Sequence, residues 1–216
     1  ADHTMATRAF ASAAVAQGAT LIEGAEVRQV RAAGAQPASV RLADGREFTA
    51  ARAVVLAANT QVPKLLAEAF GLRLPIWSFN PQVAQLRVSR DLKLDHLINH
   101  SNRTLSIKRA DADHITVTGG AVGRWDDASE TGNTDLSTLS ASLTALTATF
   151  PITATDTVVT HLDASRADSS SVDQIPIIDQ VAGHEGVFYA TGWSGHGFAI
   201  APAVSEAVAA WLTSGT

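Results

Sequence analysis

The residues best suited to chemistry lie near the carboxyl end, in the run Gly192-Trp193-Ser194-Gly195-His196-Gly197-Phe198-Ala199. This run follows the apolar Val187-Phe188-Tyr189-Ala190 and leads into a pattern that reads as an amphipathic helix running to Leu212. The order is strand, glycine turn, helix. Glycines at 192, 195 and 197 let the backbone come close to a ligand, and the unpaired amides of a helix start attract partial negative charge. A turn of this kind suits the edge of a cofactor, with Trp193, Ser194, Gly195, His196, Gly197, Phe198 and Ala199 as the candidate contacts. The same glycines equally suit a plain strand-to-helix connection. Ser194 between glycines raises a third reading, a hydrolase nucleophile assisted by His196. The G-x-S-x-G pattern needs Gly where His196 stands, and no other feature places a base and an acid beside Ser194.

Composition narrows the classes. The chain has 216 residues, 46% hydrophobic and 17% charged, enough for a sizeable core in one or two globular units. A net charge of -5 without basic blocks argues against a nucleic-acid surface. No apolar run is long enough to span a bilayer, and residues 1–19 lack the basic start and apolar stretch of a signal peptide, so a soluble, cytoplasmic protein is expected. With no cysteine, disulfides, thiolate metal sites and thiol-linked cofactors are excluded. The seven histidines show no paired zinc spacing, and His100, His114 and His184 fall in polar stretches that read as loops, so no metal site is expected.

The elements that must position the turn can be read from periodicity. Met5, Ala9, Phe10, Ala13 and Ala16 recur at helical spacing until Gly18. Short strands are expected over Ala19-Thr20-Leu21-Ile22-Glu23 and Glu26-Val27-Arg28-Gln29-Val30, then a hairpin of Ser39-Val40-Arg41-Leu42 and Glu47-Phe48-Thr49 about Asp44-Gly45. Ala53-Val54-Val55-Leu56-Ala57-Ala58 suits a buried strand, and residues 61–70 a helix ended by Gly71. Residues 74–161 change character. Period-two runs at Gln82–Val88, Leu105–Lys108 and Ile115–Thr118, with a helical run at Leu136–Phe150 before Pro151, suggest an antiparallel sheet with one helix.

The order of these segments resembles the amine and amino-acid oxidoreductases related to D-amino-acid oxidase, glycine oxidase and sarcosine oxidase. Gly18-Ala19, Val27, the Arg46-Glu47-Phe48-Thr49-Ala50 hairpin arm, Val54-Val55-Leu56-Ala57-Ala58-Asn59, Pro81 to Gln85, Gly119-Gly120, Asp173-Gln174-Ile175-Pro176-Ile177-Ile178 and the glycine turn match that family's segments in sequence. Asn59 stands where relatives carry Gly, and Asn tolerates positive φ better than most residues. The resemblance implies an α/β plus α+β architecture: part of an FAD-binding Rossmann-like domain with an antiparallel-sheet substrate domain. It divides the chain into residues 1–73 (FAD domain), 74–162 (substrate domain) and 163–216 (return to the FAD domain with the flavin-facing helix). FAD is the implied cofactor, with Val27 a backbone contact to its adenosine or, alternatively, plain strand core. The implied reaction passes the α-hydride of an amine or amino acid to flavin, after which the imine hydrolyses and an acceptor reoxidises the cofactor.

The family's dinucleotide fold opens on G-x-G-x-x-G between strand and helix, and no such opening stands in this chain. The expectation is therefore a fragment, or one half of a split enzyme, completed by an N-terminal segment or a partner chain that carries it. A non-catalytic interaction subunit that keeps the fold is the alternative. In glycine-oxidase-like relatives an Arg near the position of Arg166 fixes the substrate carboxylate, which a planar guanidinium does by two parallel hydrogen bonds. A loop-bracing role for Arg166 is the other reading, since Ser169-Ser170-Ser171 lengthens the segment. The substrate-strand Tyr common among relatives is absent, as is a cation at Gly195 or Ala199. Trp125 and Trp193 are candidate pocket walls, and Trp77 is assigned to the core. Asp111, Asp113, Asp126, Asp127 and Glu130 read as a solvated acidic face.

Overall fold

A computed structural model describes residues 3–90, 92–126, 128–129 and 131–214. The chain forms two compact units, Ala1–Ile76 with Ser171–Thr216, and Trp77–Ser170. The first carries α1 (His3–Ala16), β1 (Val27–Arg31), β2 (Ser39–Leu42), β3 (Glu47–Thr49), β4 (Val54–Leu56) and α2 (Val62–Phe70). Then follow β5 (Ile76–Phe79), β6 (Val83–Val88), β7 (Ile98–Asn99), β8 (Ser106–Arg109), β9 (His114–Thr118), β10 (Arg124–Asp126), β11 (Thr131–Asn133), α3 (Leu136–Thr149), β12 (Thr157–Asp163) and β13 (Asp168–Ser171). The first unit resumes with β14 (Ile177–Gln180), β15 (Val187–Thr191) and α4 (Gly197–Ser214).

In the first unit β1, β2 and β3 make an antiparallel sheet. Its β2–β3 turn forms because Gly45 takes φ +87° and the Asp44 carboxylate accepts the Arg46 amide at 3.0 Å. A second sheet has the order β14-β15-β4, with β15 and β4 parallel and Tyr189 opposite Leu56. Helix α2 buries Val62 and Leu66, one turn apart, against Val30, Leu56, Val187 and Tyr189. It stops where Gly71 turns left-handed and donates its amide to Ala67 O. Burial raises the Tyr189 phenol above its ordinary range, and the nearby Asp179 adds to this.

One expectation for this unit fails. Residues 19–23 form no strand, and Leu21 and Ile22 stay exposed. A strand needs a hydrogen-bonded neighbour, and none of the described strands lies beside this run. Helix α1 forms where its spacing predicts, yet none of its residues is buried, and Met5 and Phe10 are 70% and 65% exposed.

The second unit is built on an antiparallel sheet of order β12-β6-β9-β8-β7. Ala84 and Leu86 of β6 and Ile115 and Val117 of β9 alternate inward and meet Ile107, Leu139 and Leu146. Helix α3 starts at Asp135, whose carboxylate accepts the Ser137 amide at 2.8 Å. The buried Gln82 seats that cap from the sheet side: its Oε1 accepts the Asp135 amide at 2.6 Å and its Nε2 donates to the Asp135 carbonyl at 2.9 Å. The bonds from Ser137, and then Arg124 Nε at 2.9 Å, hold the Asp135 carboxyl well below the usual carboxylate range. The hairpin of β10 and β11 can lie close because Gly123 and Gly132 lack side chains: a Cβ on Gly132 would overlap the Ala164 carbonyl, which accepts from Asn80 Nδ2.

Trp77 is 49% exposed rather than in the core. It sits on β5, which pairs only with β13 in a two-stranded ribbon, and its outward face has no covering layer among the described residues. His184 is not merely solvated: its ring stacks on Phe70 at 4.7 Å. His114 likewise bonds Asp111 at 2.9 Å. Asp111, Asp113 and Asp126 are exposed, while Asp127 and Glu130 lie outside the described residues. No described helix is long and apolar enough to cross a membrane, and no described group of His, Asp or Glu could hold a metal ion.

Candidate functional site

The glycine turn leaves the carboxyl end of β15, beside the carboxyl end of the parallel β4. Ligands of open α/β sheets bind at such strand ends. Gly192 and Gly195 take φ +80° and +81°, and a Cβ on Gly192 would stand 2.7 Å from Ile76 Cδ1. Ser194 takes φ +50°, an uncommon conformation for a residue with a side chain. Its hydroxyl donates to Gly192 O at 3.1 Å and accepts the Ser171 amide at 3.3 Å. That hydroxyl thus belongs to the scaffold of the turn, engaged by backbone on both sides, which removes the basis of the hydrolase reading.

The turn closes through His196 N to Trp193 O at 2.8 Å, and α4 begins at Gly197. Gly197 is not in the left-handed region; its glycine is required instead because a Cβ would meet Trp193 Cβ at 3.0 Å and Cγ at 3.1 Å. The indole packs against the first residue of the helix and braces it. Gly195, His196, Phe198 and Ala199 are exposed, and Trp193, Ser194 and Gly197 are partly buried. The Ala199 amide is engaged by His196 O at 3.1 Å. At this helix start the His3 ring meets Phe198 edge-on at 6.4 Å.

Beside β4 an apolar cavity of about 320 Å³ is lined by Val27, Val40, Phe48, Ala57, Ala58 and Leu65 among others. Val27 both packs on the unit's core and faces this cavity. The next residue after Ala58 is Asn59, at φ +50°, whose carbonyl accepts the Thr191 hydroxyl at 3.0 Å. The Thr191–Asn59 hydrogen bond thus joins the cavity at the end of β4 to the turn at the end of β15. An apolar slot of this size followed by a glycine turn at a helix start suits a ligand with a flat ring and an electron-rich edge, and FAD has both. Thr191 and the Asn59 carbonyl were not singled out above; the sequence signal for them is an Asn where the family resemblance places Gly.

The return segment is shaped by Asp173, which accepts the Ile175 amide at 3.0 Å while Ser171 Oγ donates to Ile175 O at 2.7 Å. Gln174 consequently takes φ +63° at the position of the family's Gly. In the second unit Arg166 is exposed, on the loop between β12 and β13. Its base is fixed: Ala164 is buried, and the Asp163 carboxylate accepts the Ser165 amide at 2.8 Å. Bonds from Ser165 lower the Asp163 carboxyl below its ordinary value, and the charges of His161 and Arg166 add to this. Arg166 and the glycine turn belong to different units.

Three solved structures are similar over nearly all of this chain. Glycine oxidase from Geobacillus kaustophilus aligns with TM-score 0.76 and 19% identity, over 93% of this chain and 51% of that one. Glycine oxidase from Bacillus cereus gives TM-score 0.76 and 19% identity, over 97% and 55%. L-proline dehydrogenase from P. horikoshii gives 0.68 and 22%, over 98% and 55%. The chain thus spans about half the length of these structures. No curated protein sequence matches it. The fold is that of FAD-dependent oxidoreductases with a Rossmann-like domain. A family model described as "DAO: FAD dependent oxidoreductase" matches residues 1–211, and the chain belongs to that family of FAD-dependent enzymes.

Proposed function

We propose that this chain supplies part of the FAD site and the substrate-holding unit of an enzyme that oxidises an amine or amino acid. The observation that carries the reading is the glycine turn at the carboxyl end of β15, latched to the apolar cavity beside β4. When bound, FAD accepts the hydride that leaves the substrate's α-carbon. The start of α4, with the amides of Gly197 and Phe198, offers positive partial charge to the electron-rich edge of the ring, and charge built there is met by dipoles already in place. Val27 offers backbone and an apolar wall to the adenosine. Arg166 holds a substrate carboxylate by its two-bond fork and so orients the α-carbon.

The nucleotide's phosphates are met by a G-x-G-x-x-G segment, either on an N-terminal segment of the same protein or on a separate chain. The exposed faces of α1 and the open edge of β4 support such a covering segment. Those same surfaces also favour the second reading, a non-catalytic subunit that keeps the fold for assembly. A visible flavin spectrum of the native complete protein separates the two, and its absence overturns the enzyme reading. In the flavin-containing protein, Arg166→Ala is expected to cost about 2–4 kcal/mol in kcat/KM, roughly 30- to 1000-fold, on an amino acid. The matching amine without its carboxylate should change little. Equal losses on both substrates would make Arg166 a loop brace.

A further inference from the structure

The bond between Thr191 Oγ1 and Asn59 O, at 3.0 Å, spans 132 residues of sequence and ties together the ends of the two parallel strands that flank the proposed flavin site. Thr191 is fully buried, at 0% exposure, and is followed directly by Gly192, whose φ of +80° starts the turn. Asn59 follows directly on Ala58 in the cavity wall and sits at φ +50°. A left-handed Asn is held there by its surroundings, since the conformation is costly for a residue with a Cβ. The hydroxyl of Thr191 supplies part of that hold from the other strand.

We propose that Thr191 and Asn59 are positioning residues, a latch that sets the glycine turn relative to the cavity so that one rigid ligand engages both. The inference deepens the flavin reading and rests on it for the identity of the ligand, but the latch itself is a statement about the chain. Loss of the Thr191 hydroxyl takes one of the donors from Asn59 O, which also accepts the Val62 amide, and removes the tie between the two strand ends, so the turn at Gly192 loosens relative to Asn59. Neither residue needs to touch the ligand for this to happen. Ser194 links the same turn to Ser171 and so constrains its other side.

The test compares Thr191→Val, Thr191→Ser and Asn59→Gly in the complete protein. Thr191→Val keeps shape and removes the hydroxyl; it should weaken FAD binding about tenfold and speed amide exchange at Gly192 to Gly197 by a similar factor. Thr191→Ser keeps the hydroxyl and should stay within about twofold on both measures. Asn59→Gly keeps the carbonyl but frees φ, and should give an intermediate loosening of the turn amides. If Thr191→Val does not fold, Asn59→Gly carries the test. Wild-type exchange at the turn in whichever of these two variants folds overturns the latch, as does a Thr191→Ser protein as loose as Thr191→Val. If exchange rises but the wild-type protein holds no flavin, the latch stands and the flavin reading falls.

Discussion

In the unit of residues 77–170 a five-stranded antiparallel sheet folds its inward row over α3, and the buried set Leu86, Ile107, Ile115, Val117 and Leu146 closes on itself. In the unit of residues 1–76 and 171–216 the core is made by α2 and the inner faces of short strands, while α1 buries nothing and β4 is a sheet edge. The unit of residues 77–170 is the poorer of the two in apolar residues, so its closed core comes from connectivity rather than from a surplus of apolar side chains. Antiparallel strands can pair with their chain neighbours, as β7, β8 and β9 do here, whereas a parallel pair such as β4 and β15 is joined only across a long excursion of chain. The first unit presents apolar surface at the place where the cofactor site is proposed, and the second invests its apolar residues in its own stability.

Core truncation tests this contrast most strongly. Leu146→Ala, at a site with 0% exposure, should destabilise its unit by about 2–5 kcal/mol in a denaturant melt. Phe10→Ala on α1 should stay within about 0.5 kcal/mol in the same chain. A loss at Phe10 comparable to that at Leu146 would show that α1 is packed and would remove the contrast.

The next effect sharpens the reading of the glycine turn. Gly197→Val should cost about 1–3 kcal/mol by pushing on Trp193, and should lower flavin content in the complete protein. On a Trp193→Gly background, which removes both the Cβ and the ring, the further cost of Gly197→Val should largely disappear. Additive losses would mean that Gly197 serves something other than clearance for the indole.

The smallest effect concerns acid stability. The Asp135 carboxyl is depressed in the folded unit, so it binds a proton less readily there than when unfolded. Its contribution is complete above the ordinary value of 3.8 and is lost as the pH falls through the acid range below it. Asp135→Asn keeps a capping oxygen but cannot titrate, so the second unit's melting temperature should fall less steeply with acidification than in the wild type. Identical acid limbs would assign the acid sensitivity elsewhere.

Periodicity and turn chemistry made the local elements legible. Gly18 and Gly71 end α1 and α2, Asp44-Gly45 turns β2 into β3, and the alternation of Gln82–Val88 and Ile115–Thr118 shows which side of β6 and β9 faces inward. Leu21-Ile22 and Trp77 were misread for one reason: an apolar side chain records only a tendency to be buried, and whether a neighbour exists to bury it is a property of the assembled fold. The short β5, β7, β10, β11 and β13 carry too little pattern over their length to stand out, and the seven-residue β12 lacks alternation because Val158, Val159, Thr160 and His161 are all exposed.

The site divides in the same way. The family and its FAD dependence were readable from the glycine turn, the Val54–Asn59 run and their order, because a turn of this kind needs particular residues at fixed places whatever surrounds it. Tertiary structure alone decided that Gly197 is needed for Trp193 rather than for a positive φ. It also decided that Ser194 spends its hydroxyl on Gly192 and Ser171, and that Thr191 reaches Asn59 across 132 residues. Such contacts depend on how distant segments pack, and spacing along a chain carries no record of what lies beside it in space.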